Sequence, residues 1–218
     1  MTRKSILSMC MCACLVSNVW ALETGNCNSS GTCKYALDDD GNLRISGTGE
    51  TQFNSQLRQL QGREDIKTIT IEKGITGIGA NSFRNLINLT SVKISNSVTS
   101  LGNEAFYNAR SLQKIYIPKS VKNIDSPFDY CRNLVDITIA GENVNISDNK
   151  STFGTAYYYH EVTYTTAPSS ATEAWIKQKF GSEGNVHLNE LKRKRIYTVE
   201  EAEKVSKPLG NTFRLRYH

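Results

Sequence analysis

Three histidines, His160, His187 and His218, are the side chains here best suited to moving protons or holding a metal near neutral pH. None stands at ligand spacing from another His or Cys. The chain has no His-Glu-x-x-His, no Gly-x-Ser-x-Gly and no phosphate-cradling glycine loop. A hydrolase site built from Tyr157, Tyr158, His160 and His187 is the one enzymatic alternative, and no spacing supports it. Cys131 has the chemistry of a lone nucleophile, but a small buried hydrophobe is the plainer reading. Cys27 and Cys33 lack the Cys-x-x-Cys spacing of a redox pair and read as a structural bridge closing a small loop, which an exported protein can keep. Asp38, Asp39 and Asp40 resemble the start of a calcium loop, yet no distal glutamate completes it. Glu200 and Glu201 suit the first turn of a helix. The reading is a protein without catalytic residues, metal or cofactor.

What the chain offers instead is repetition. Leu89-Thr-Ser-Val92-Lys-Ile94 is followed by Val98, Leu101 and Phe106. Leu112-Gln-Lys-Ile115-Tyr-Ile117 is followed by Val121, Ile124 and Phe128. Upstream lies Ile66-Lys-Thr-Ile69-Thr-Ile71, with Ile75, Ile78 and Phe83. Downstream lie Leu134-Val-Asp-Ile137-Thr-Ile139, with Val144, Ile146 and Phe153, and a weaker copy, Tyr159-His-Glu-Val162-Thr-Tyr164. Successive copies from Ile66 to Leu134 are 23, 23 and 22 residues apart. A fixed period in the twenties with apolar residues in one phase predicts a solenoid, here of about five rungs. Each rung opens with a short alternating strand whose Val and Ile point inward. One rung cannot bury these residues alone, so stability is shared between stacked neighbours.

The segments Ile75-Thr-Gly-Ile78-Gly-Ala-Asn-Ser-Phe83 and Val98-Thr-Ser-Leu101-Gly-Asn-Glu-Ala-Phe106 carry a resemblance. They are similar to the half-repeat of the BspA-like leucine-rich-repeat family, and Tyr130-Cys131-Arg-Asn-Leu134 resembles its Gly-Cys-x-x-Leu junction. The resemblance covers roughly residues 66–166 and implies a mainly β solenoid with short helices, displayed at a cell surface. Asn149 to Tyr158 departs from the pattern and reads as an insertion or capping distortion.

The flanks follow from their own signals. Residues 1–21 read as a secretory signal: Arg3 and Lys4, an apolar stretch Ile6–Val16 too short to span a bilayer, and small residues before a cleavage site after Ala21. Its loss lowers the net charge from +5 to +3, a mild excess that argues for no nucleic-acid partner. Residues 22–64 form an N-terminal cap with a hairpin turning at Asp38–Asn42, similar to the segment that precedes many BspA-like repeats. Residues 65–181 hold the solenoid and a cap helix opened by the capping box Ser170-Ala-Thr-Glu173. Residues 182–218 contain the basic run Lys192–Arg195, a second capping box at Thr198–Glu201 and an alternating end Thr212–Tyr217. This tail is similar to endings of some secreted bacterial proteins and is the candidate for envelope attachment.

The outward strand positions are Thr70, Lys93, Tyr116, Thr138 and Thr163, one per rung, with Tyr116 the exposed aromatic suited to anchor a partner. The expectation is a secreted or cell-surface module that recognises a protein or glycan, with no transmembrane helix after signal cleavage. A passive structural component of the envelope is the alternative.

Overall fold

The computed structural model describes residues 21–156, 160–181 and 186–190. The secretory signal (apart from Ala21), the start of the fifth repeat at Tyr159, the neighbouring Tyr157 and Tyr158, and the basic run and tail beyond 190 lie outside the described residues.

Two rows of short parallel strands run the length of the repeats. The first row contains β3 (Asn42–Gly47), β5 (Thr68–Ile71), β7 (Ser91–Lys93), β9 (Lys114–Ile117), β11 (Asp136–Ile139) and β13 (Val162–Thr166). The second contains β4 (Gly49–Thr51), β6 (Ile75–Ile78), β8 (Ser100–Leu101), β10 (Asn123–Ile124) and β12 (Asn145–Ile146). The alternation does what β geometry requires: Ile69 and Ile71, Val92 and Ile94, Ile115 and Ile117, Ile137 and Ile139 all face the core. Ile75, Ile78, Val98, Leu101, Val121, Ile124, Val144 and Ile146 close it from the second row.

The third side of each rung is turn, yet it also bonds rung to rung. Phe83 N donates to Ala105 O, Phe106 N to Pro127 O and Phe128 N to Thr152 O. These turns thread a phenylalanine column through the core: Phe83, Phe106, Phe128 and Phe153, with successive ring centroids 5.6, 5.4 and 6.4 Å apart. Asn81 and Asn85, Glu104 and Asn108, Ser126 and Tyr130 all have positive φ at equivalent places in three consecutive rungs. Asparagine accepts that conformation cheaply; Glu, Ser and Tyr hold it because the inter-rung bonds fix the turn.

At the N-terminal end, β1 (Ala21–Asn26) and β2 (Cys33–Asp38) run antiparallel, and β2 turns back into β3 through Asp38–Asn42. β3 then lies parallel on β5, with Leu43 opposite Ile69 and Ile45 opposite Ile71, so this unit occupies the edge of the first repeat. A disulfide joins Cys27 to Cys33. A short helix, α1 (Ser55–Arg58), capped by Asn54, leads on toward β5.

At the far end, Ser170 caps α2 (Ala171–Phe180) by accepting from Glu173 N at 3.0 Å. Thr172 Oγ1 donates to Gly141 O at 3.0 Å, and Phe180 stacks on Tyr164 at 5.4 Å, docking the helix on the last turns. Two features depart from the sequence expectation. The stretch expected to begin the basic linker contains β14 (Val186–Glu190), which pairs parallel with β13 and carries the wall past residue 181. The weak fifth copy is out of register by two residues, because Tyr164, not Val162, lies opposite Ile137. The 3₁₀ turn Lys150–Phe153 falls in the extra length between these strands. Among the described residues no helix is long and apolar enough to cross a membrane.

Candidate binding surface

The outward face of the first strand row is set by register. Arg44, Thr70 and Lys93 are successive partners across β3, β5 and β7. Tyr116, Thr138 and Thr165 are successive partners across β9, β11 and β13. The expected line of Thr70, Lys93, Tyr116 and Thr138 is therefore kept within each sheet, but Thr163 is not its continuation. Thr163 lies opposite Asp136 and His187, in the neighbouring row, because of the two-residue shift in the fifth repeat. Lys93 is exposed, Thr70 and Thr138 are half-buried, and Tyr116 is 54 % exposed.

Between β7 and β9 the ladder is interrupted: the structure forms β3-β5-β7 and β9-β11-β13 as parts of separate sheets. One strand-end bond is also missing there. Glu72 N donates to Ile45 O, and Ala140 N donates to Ile117 O, each at the end of a strand. The equivalent residue after β9 is Pro118, which has no N–H to give to Ile94. Val92 and Ile94 are each 8 % exposed, whereas Ile117, Ile137 and Ile139 are fully buried. A shallow groove of about 1290 Å³ lies over β3, β5 and β7 and reaches Tyr116 on β9, with Ile71, Val92 and Ile94 among its lining residues. Arg44, Thr70, Lys93 and Tyr116 stand around it, so three of the five expected surface residues share one depression.

Its charge is uneven. Arg44 is ion-paired with Glu72. Asp38 is tied into its own turn, accepting from Asn42 N at 2.8 Å and from Asp40 N at 3.0 Å. Burial works against its charge, but these bonds and those from the Asn42 side chain outweigh it and hold the carboxyl below its ordinary range. Lys73 and Lys93 also line the groove, and neither has an ion-pair partner among the described residues.

A second surface feature escaped the sequence reading. On the turn side, Arg84 lies over the Tyr107 ring at 4.5 Å and pairs with Glu104 at 3.0 Å, while Tyr107 meets Tyr130 at 5.1 Å. Arg84 and Tyr107 recur at the 23-residue interval of the core, which was the available signal, whereas Tyr130 stands one place later in its rung, equivalent to Asn108. Arg84 and Tyr107 brace the turns, while Tyr130 remains 43 % exposed at the end of the row.

The groups singled out for catalysis stand apart from this groove. His187 Nε2 is 3.9 Å from Glu161 Oε2 on the C-terminal part of the wall. Among the described residues no cluster of three or more His, Cys, Asp or Glu is arranged to hold a metal ion. Cys131 is fully buried, in the place that Leu86 and Ala109 fill in earlier rungs, and its thiol donates to Phe106 O at 3.2 Å. Burial pushes the thiol up to about 12, against a weaker opposing bond from Ala109 N. The folded state therefore keeps a proton that the unfolded chain releases near its ordinary value of 9.0. This stability is fully present below about pH 9 and is lost as pH rises toward 12, at up to roughly 1.4 kcal/mol per pH unit. Chemical denaturation at intervals between about pH 8 and 11 should show wild type losing stability more steeply than Cys131→Ala. Parallel pH profiles would refute the assignment.

A family model for the BspA type leucine-rich repeat region matches residues 59–174 in six copies, one more than periodicity alone counts. Among solved structures, a leucine-rich repeat protein from Eubacterium ventriosum ATCC 27560 is 24 % identical with a TM-score of 0.49, over 67 % of this chain and 44 % of that one. The pneumococcal vaccine antigen PcpA is 13 % identical with a TM-score of 0.48, over 72 % of this chain and 46 % of that one. A leucine rich cell surface protein from Faecalibacterium prausnitzii A2-165 is 17 % identical with a TM-score of 0.37, over 56 % and 39 %. The chain thus spans less than half the length of each of these three. No curated protein matches it. With parallel strand rows stacked at the repeat period and a family match over more than half its length, the chain belongs to the BspA type leucine-rich repeat family.

Proposed function

We propose that this protein is an exported, surface-displayed binding module that holds a protein or glycan partner against the outward face of its first strand row. The observation that carries this reading is Tyr116. Its ring is 54 % exposed on a strand, makes no ring contact with another side chain among the described residues, and borders the groove. An exposed aromatic beside a groove on a strand face is the kind of anchor that dominates binding energy. Family membership supports a role in interaction, and the parallel wall offers a stiff platform for it. Among the described residues the other large exposed hydrophobic side chains, Phe53 and Tyr130, lie off this strand row.

The test is a screen of immobilised extracellular proteins and glycans against wild type and Tyr116→Ala. Wild type should give saturable ligands whose Kd rises about tenfold or more in the variant, a loss of about 1.4 kcal/mol. The melting temperature should stay within a degree or two, since an exposed strand position contributes little to stability. Ligands that bind both forms equally would move the site off this face.

A further inference from the structure

The groove also carries information about the chemistry of its occupant, and this step rests on the binding reading above. Glu72 is paired with Arg44, and Asp38 stays ionised within its own turn. Lys73 and Lys93 have no ion-pair partner among the described residues. Three cations against two carboxylates leave the groove with a net positive charge of one. Val92 and Ile94, each 8 % exposed, flank Lys93 in the groove lining. The hydroxyls of Thr70 and Ser91 face the same space and have no hydrogen-bond partner among the described residues.

We propose that this groove binds a carboxylate-bearing saccharide chain, with Lys93 and Lys73 on the carboxylates and Tyr116 against a sugar ring. A uronic-acid unit presents both kinds of surface the groove lacks: an anionic group for a partnerless ammonium, and a weakly polar C–H face for an open phenol ring. Thr70 and Ser91 supply donors and acceptors for ring hydroxyls. The depression is shallow and open along the wall, which admits a chain without requiring its end. An acidic peptide would use the same lysines but would gain nothing specific from the free ring face and the hydroxyl pair.

The experiment titrates the full chain with polygalacturonate and hyaluronan fragments, a neutral oligosaccharide of similar length, and poly-glutamate. The expected result is saturable binding of at least one acidic saccharide, with Kd raised tenfold or more by Lys93→Ala and by Tyr116→Ala. Lys93→Arg should retain most of the affinity, Lys122→Ala, outside the groove, should retain all of it, and added salt should weaken binding. Melting curves check that each variant is folded. Equal or tighter binding of poly-glutamate, with Tyr116→Ala without effect, would make the occupant a peptide and overturn the saccharide assignment while leaving a binding face. Failure of both acidic saccharides would overturn it as well. The binding reading itself falls only if ligands from the wider screen are also indifferent to Tyr116→Ala.

Discussion

Phe106→Ala should lower the unfolding free energy by about 3–5 kcal/mol, the largest loss expected from any single truncation in the core. Phe106 is fully buried, and its ring lies between Phe83 at 5.6 Å and Phe128 at 5.4 Å. Removing it breaks two stacked contacts and leaves a cavity that the backbone cannot readily close. The backbone there is held from both neighbours: Ala105 O accepts from Phe83 N at 2.8 Å, Phe106 N donates to Pro127 O at 2.8 Å, and Phe106 O accepts from the Cys131 thiol at 3.2 Å. A solenoid adds a second consequence. Rungs touch only adjacent rungs, so a defect in the middle weakens the coupling between the two ends. Urea denaturation followed by circular dichroism should show a lower midpoint and a shallower slope, the sign of two halves beginning to unfold separately. A loss below about 1 kcal/mol with an unchanged slope would mean the phenylalanine column is not what couples the rungs.

Much of this architecture was legible because its cause is periodic. Ile69, Val92, Ile115 and Ile137 recur at 23, 23 and 22 residues, and the same interval recovers Phe83, Phe106 and Phe128. Where the period fails, the reading fails with it. Tyr164 lies opposite Ile137 at a separation of 27 residues, so matching Val162-Thr-Tyr164 to Ile137-Thr-Ile139 misplaces Thr163 by two. The shift is even, so Thr163 still faces outward, but it joins the row of Asp136 and His187 instead of that of Tyr116. The strand Val186–Glu190 was hidden for a related reason: it follows a helix, not a repeat, and Val-His-Leu-Asn-Glu is too short and polar to announce itself. The groove is a different case. Its lining residues lie far apart in the sequence, and only the register between β3, β5 and β7 brings Arg44, Thr70 and Lys93 side by side. The left-handed turn residues Glu104, Ser126 and Tyr130 carry no local signal, since the inter-rung bonds select their conformation.

Gly41→Ala should destabilise the N-terminal unit by about 2–5 kcal/mol, although it adds only one methyl group on the turn that Asp38–Asn42 announces. Two costs combine. Gly41 has φ +87°, a conformation in which an L side chain is strained. Its Cβ would also stand 2.0 Å from the backbone oxygen of Asp65, which is not the movable end of a side chain. Relief requires the turn to move away from the first repeat, and that turn is bonded there: Lys67 N donates to Gly41 O at 2.8 Å and Thr68 N at 3.2 Å. Gly62→Ala separates the two costs. Gly62 has φ +70°, but nothing lies within 4 Å of its added Cβ, so only the conformational strain of about 1–2 kcal/mol remains. Asp39→Ala, at an exposed place in the same turn, should change stability by less than about 0.5 kcal/mol. If Gly41→Ala and Gly62→Ala cost the same, close packing of the hairpin turn on the first repeat contributes nothing. If Gly41→Ala costs clearly more, and the excess appears as earlier unfolding of the first repeats, that turn is a structural part of the solenoid's beginning.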